Sequence, residues 1–174
     1  MPSNSHIYSV PVPHPGRAPF NLSYEYKTTT EMGLLIPVLA RELAPGSIVS
    51  VDWTSVVRLM PLVAPVLHNI RIHFDLFFDH YRELWDNPAS SDDNFEDFIT
   101  GGEDGTLTPT FPDWNPATKT TNSLWDYLGF PVGITPATRQ PSALLPRCYY
   151  RIFNNWYRHQ EVDTELTIDY TGGT

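Results

Sequence analysis

The stretch His68–Asp79, HNIRIHFDLFFD, alternates Ile70, Ile72, Phe74, Leu76 and Phe78 with Arg71, His73, Asp75, Phe77 and Asp79. Successive side chains leave a β-strand on opposite sides, so apolar residues at every second position predict a strand with one buried face. The preceding RLMPLVAPVL, residues 58–67, carries Pro61 and Pro65. Each removes a backbone donor and fixes φ, so neither a continuous helix nor a central strand runs through it. A bent approach and a long strand form the unit that the rest of the chain is expected to cover.

Upstream, Leu22, Tyr24 and Tyr26 recur at a spacing of two, Thr28–Thr30 favour extended backbone, and GLLIPVL begins at Gly33. They predict an extended segment over 34–40, kept to an edge or a bend by Pro37. Pro45-Gly46 signals a turn, after which Val49, Val51 and Trp53 alternate with Ser50 and Asp52 and predict a strand over 48–58. Residues 1–20 hold Pro2, Pro11, Pro13, Pro15 and Pro19 with few large aliphatic side chains, the composition of an extended arm without its own core.

Downstream, YRELW from Tyr81 is helix-compatible, and periodicity is then lost in polar, glycine-rich sequence with a short helical turn expected over 94–98. Between Thr106 and Gln140, prolines at 109, 112, 116, 131 and 136 punctuate aromatic clusters, which predicts a long excursion with local helix at 123–128. The whole loop-rich insertion spans about 87–160. Within it, Pro146 opens the best helix of the chain. Leu145, Tyr149, Ile152, Phe153 and Trp156 share one face at the 3.6-residue period, and Arg147, Arg151, Asn154 and Arg158 share the other. Val162, Leu166, Ile168 and Tyr170 suggest a last extended piece.

Composition narrows the function classes. With 174 residues, 41% hydrophobic and 13% aromatic, the chain can bury the core of one domain, and 17 prolines argue for a loop-rich β architecture over a helix bundle. No apolar run approaches the ~20 residues of a membrane span and no signal-peptide pattern opens the chain, so a soluble protein is expected. The single cysteine, Cys148, excludes an internal disulfide framework. Net charge is −9, but from Asp75 to Asp113 eleven acids face one base, Arg82, whereas Tyr127–Gln160 holds four arginines and no acid. Such a split predicts charge-complementary contacts between different surfaces, or separate surfaces for separate partners, rather than a basic coat for nucleic acid.

Candidate chemistry is sparse. His73 and Asp75 share the polar side of the strand, yet two ligands without further spacing make a solvated or interface edge the better reading than a metal or acid–base site. The acids Asp92, Asp93, Glu96, Asp97, Glu103 and Asp104 match no calcium loop, and Gly101–Gly105 lacks the lysine and hydroxyl of a phosphate loop. Cys148 lies beside the helix's apolar face and reads as a buried structural thiol. Asn21-Leu22-Ser23 has the form of a glycosylation acceptor but lacks a secretory signal beside it. The stripe Arg147, Arg151 and Arg158, with Tyr150 and Tyr157, fits either phosphates and stacked bases of single-stranded nucleic acid or, with more weight, a salt-bridged or subunit-facing surface. No catalytic residue, cofactor site or metal site is assigned.

Several blocks in fixed order carry a resemblance: Arg58-Leu59, Pro61-Leu62, Ala64-Pro65, His68, then Phe77-Phe78, Arg82, Leu84-Trp85 and Phe98-Ile99-Thr100-Gly101-Gly102. FNLSYEYKTTTEMGLLIP from Phe20 and YYRIFNNWYR from Tyr149 extend it over about Arg17–His159. Together they resemble the major capsid protein of the Microviridae, small single-stranded DNA phages, and most closely the gokushovirus branch. Asp79 and His80 stand where that family usually has an aliphatic residue and proline. The resemblance implies a mainly β fold, the eight-stranded viral jelly roll. Residues 21–174 would supply its first strands, long loop insertions and a short helix as the N-terminal part of longer proteins. It further implies a structural subunit that pairs with copies of itself and with the remainder of the capsid polypeptide. The shell would be a T=1 icosahedron around single-stranded DNA, assembled with other virion proteins in the bacterial cytoplasm, without a membrane or catalysis. The competing reading is a host-surface module in which residues 106–140 recognise carbohydrate or lipopolysaccharide. An acidic-loop hydrolase using Glu103 has the least support.

Overall fold

The computed structural model describes residues 16–85, 94–107, 110–116, 119–133 and 140–170. Its regular structure is helical and lies between Tyr81 and Tyr157: α1 (Tyr81–Trp85), α2 (Phe95–Thr100), α3 (Leu124–Tyr127) and α4 (Leu144–Ile152), the last running on into a π-helical turn at Phe153–Tyr157. Of the arm predicted over 1–20, residues 1–15 lie outside the described residues and 16–20 are irregular and exposed.

Local chemistry explains where these helices start and stop. Asn94 caps α2 by accepting the Asp97 amide at 2.8 Å, and Gly101 ends it in the left-handed region at φ 80° with its amide returned to the Asp97 carbonyl. Gly102 follows at φ 76°, and a Cβ there would come within 2.6 Å of Leu107 Cδ1. Both glycines of the Gly101-Gly102 block are therefore demanded by backbone conformation. In α4, Pro146 sits in the first turn, where its missing donor costs nothing, and the first helical bond is Arg147 N–H to the Ala143 carbonyl at 3.1 Å.

Two aromatic-rich cores hold the helices. Leu84 and Trp85 of α1 meet Leu144 of α4, with Tyr81, Phe95 and Cys148 packed around them. Phe98 and Phe111 approach the Trp85 ring at 4.5 and 5.1 Å. The second core gathers Trp114, Trp125 and Ala143 with Leu124, Leu128 and Phe130. An isolated antiparallel bridge, Asp113 with Ser142, joins the excursion to the start of α4, through Trp114 N–H to Pro141 O at 2.8 Å and Ala143 N–H to Pro112 O at 2.9 Å.

The mainly β jelly-roll expectation is overturned: the described residues form no β-strand. The segments 34–40, 48–58 and 68–79 are irregular, and the apolar side chains from Ile70 to Phe78 are 38% to 72% exposed instead of buried in a sandwich. Alternation defines the two faces of an extended chain but supplies no ladder partner, and strand structure exists only where neighbouring backbone accepts and donates. A ring contact, Trp53 to Phe74 at 5.9 Å between centroids, joins two of the predicted strands.

The insertion also differs from a loop excursion. It holds Trp114 and Trp125, both buried, so its aromatics build a core that periodicity could not show because they are spread along the sequence between prolines.

Candidate functional site

The arginine helix and what it touches form the most organised polar site. Arg147, predicted to face outward, is 3% exposed. Its Nε donates to the Asp169 carbonyl at 2.9 Å and its Nη1 to the Leu84 carbonyl at 3.2 Å, while the guanidinium lies 5.1 Å from the Tyr170 ring centre. Burial lowers its pKa from the ordinary arginine value, and the neighbouring Tyr170 and Asp169 oppose that shift. Arg151 pairs with Asp79 at 3.3 Å and with Glu83 of α1. Arg158 lies 3.6 Å from Glu165. Between them, Asn154 donates from Nδ2 to the Leu166 carbonyl at 2.8 Å and accepts the Leu166 amide at 2.9 Å.

The polar face of α4 thus turns inward to hold α1 and a strap at 165–170, while Trp156, placed by sequence on the apolar face, is 72% exposed. The π-helical turn accounts for the second displacement. Arg158 N–H bonds the Phe153 carbonyl at 2.8 Å, five residues back, so residues after Phe153 leave the 3.6-residue stripe.

The opening stretch docks here by its other side. Phe77 packs on Trp156 and Tyr157 at 5.7 and 6.0 Å between ring centres, and the Tyr157 hydroxyl donates to Asp75 at 2.6 Å, which pushes the tyrosine pKa up to about 12. Asp75, Phe77 and Asp79 keep the period-two spacing and meet the helix. The charge split in the sequence closes partly within the chain, through Arg151 to Asp79 and Glu83. Among the acids, Glu96 pairs with Arg82 at 2.6 Å.

Of the remaining singled-out residues, Trp85 is buried at the first core and Phe78 is exposed with an edge contact to His80 at 4.9 Å. Arg58, Pro61, Pro65 and His68 lie along the exposed ribbon, apart from the helix. His73 is exposed and is not joined with Asp75 in any metal-holding group; no set of three or more His, Cys, Asp or Glu side chains arranged for a metal occurs among the described residues. Burial, with Asp79 nearby, raises the Cys148 pKa to about 11. An open hollow of about 430 Å³ lies between Tyr26–Thr29 and Thr121–Tyr127. No described helix is long and apolar enough to cross a membrane. Sequence reasoning missed Asn154, Asp79 and Glu83 as partners, since their roles depend on elements 12 to about 70 residues away.

The helix is clamped onto a short core, and a long apolar ribbon is left outside it. The family model for capsid protein (F protein) matches residues 8–172. The chain belongs to this F capsid protein family. Capsid protein VP1 of Chlamydia phage 1 is 33% identical over 165 residues, covering 87% of this chain and 26% of that protein. Capsid protein VP1 of Bdellovibrio phage phiMH2K is 30% identical over 169 residues, covering 95% and 30%. Capsid protein VP1 of Spiroplasma virus 4 is 25% identical over 162 residues, covering 90% and 28%. The chain therefore spans between 26% and 30% of the length of these F-family relatives. No solved structure matches it.

Proposed function

We propose that this chain acts as a structural capsid subunit of a small single-stranded DNA phage, without a catalytic step or cofactor. The family match over residues 8–172 carries the reading. Exposed apolar side chains support it: along 43–74 every residue but the half-buried Val51 is exposed, Trp53, Val57, Leu62 and Ile70 among them, and contiguous apolar surface marks interaction sites. Its partners are other copies of itself, further polypeptide of the length seen in its relatives, other virion proteins and the packaged DNA. The product is a T=1 icosahedral virion formed in the bacterial cytoplasm. Of the three arginines, Arg151 keeps the most accessible side chain, 30%, and on this reading it meets a neighbour or phosphate in competition with its pairs to Asp79 and Glu83.

The test is electron microscopy of source material in which the chain is abundant by mass spectrometry. Uniform small icosahedral particles that contain it are expected, and abundance without particles overturns the reading.

A further inference from the structure

Every side chain buried among the described residues lies between Leu84 and Arg147, and every helix between Tyr81 and Tyr157. The ribbon 43–74 is the opposite case. All its residues are exposed except the half-buried Val51, although it carries Val49, Trp53, Val57, Leu62 and Ile70. A segment that buries nothing has nothing to offset the ~1–2 kcal/mol per residue lost in fixing its backbone.

We propose that the described residues within 80–170 form an autonomous folding unit, closed by Arg147 as a clasp, which is ordered in the free chain while the ribbon 43–74 is not. This does not rest on the capsid reading. The two cores of the unit use side chains from within it, and its longest internal ties are Arg151 to Glu83, 68 residues apart, and Arg147 to Leu84, 63 residues apart. Arg147 alone joins three pieces: the end of α1 at Leu84, its own helix, and the strap at Asp169 and Tyr170. Asn154 and Arg158 fasten the strap's other end at Leu166 and Glu165. Segment 24–42 leans on the unit through the Tyr26 hydroxyl to Tyr127 O at 3.2 Å and the Tyr149 hydroxyl to Leu35 O at 2.9 Å. Those are peripheral ties between mostly exposed backbone and the unit's rim.

Amide hydrogen exchange on the dilute, full 174-residue chain tests this. Amides of α2, α3, α4 and Leu166 are expected to exchange on the order of 10³-fold more slowly than unstructured peptide, the low end for a small cooperative domain. Amides of 48–74 are expected to exchange at the unstructured rate. Equal protection of ribbon and helices, or none in the helices, overturns the unit. Arg147→Met is expected to cut protection at least tenfold in α2 and in the strap as well as in α4, and a loss confined to α4 overturns the clasp. Should that variant lose all structure, Asn154→Ala decides. Exchange is then expected to quicken across 165–170 and at the neighbouring helix, and a change at Leu166 alone overturns the clasp.

Discussion

Gly102 shows how one residue can be fixed by backbone demands. At φ 76°, with Leu107 Cδ1 2.6 Å from where a Cβ would stand, an L-residue meets a left-handed cost of roughly 1–2 kcal/mol before any clash. Gly102→Ala is expected to lower stability by about that amount, read as a shift in denaturant midpoint followed by tryptophan fluorescence. Cys148 makes a pH prediction. Burial first, then Asp79, raises its pKa from 9.0 to about 11, so the folded state disfavours the thiolate more than the unfolded chain does. Its contribution is fully present below pH 9 and is lost as pH rises from about 9 through about 11. Melting temperature should fall over that window less steeply in Cys148→Ala than in the parent chain. Alkylation of the native thiol should stay slow at pH 8 and quicken tenfold per unit up to about 11.

At the scale of elements, α4 was legible as a helix and illegible in its orientation. A 3.6-residue stripe shows that two faces differ, but it does not show which face the chain itself will cover. Arg147 turned inward because two carbonyls, Leu84 O and Asp169 O, lie where its donors reach, and a guanidinium taken out of water needs acceptors. Trp156 turned outward because the π-helical turn shifts it. The two tryptophans Trp85 and Trp156 should therefore respond differently. Trp85→Ala empties the first core and is expected to cost about 3–5 kcal/mol. Trp156→Ala removes a largely exposed ring and is expected to cost under about 1 kcal/mol, with thermal melts of both variants as the check. The short helices at 95–100 and 124–127 agreed with expectation because their signals are local: an asparagine cap, a serine before an apolar turn, and glycine stops.

For the whole molecule, the face of the opening stretch turned away from the helix leaves large apolar side chains exposed. Leu76 and Phe78 are 64% and 72% exposed, and apolar patches of this extent mark interaction surfaces or aggregation. Leu76→Ser with Phe78→Ser is expected to leave the melt within about 0.5 kcal/mol of the parent while reducing self-association. Sedimentation velocity reads this, and unchanged association with an intact melt would remove these side chains from the interface.

The sequence by itself determined the family, through ordered blocks such as Pro61–His68 and Phe98–Gly102. It also determined the period-two faces of His68–Asp79 and the existence of the short helices, because each of these depends on neighbours within a few residues. Only the tertiary structure decided that Asp75, Phe77 and Asp79 meet the helix while Ile70, Ile72, Phe74, Leu76 and Phe78 stay open, that Arg147 turns inward, and that Trp114 and Trp125 are buried. Those outcomes depend on which distant backbone and which distant rings come within bonding range, and a strand pattern without a partner in reach stays unpaired.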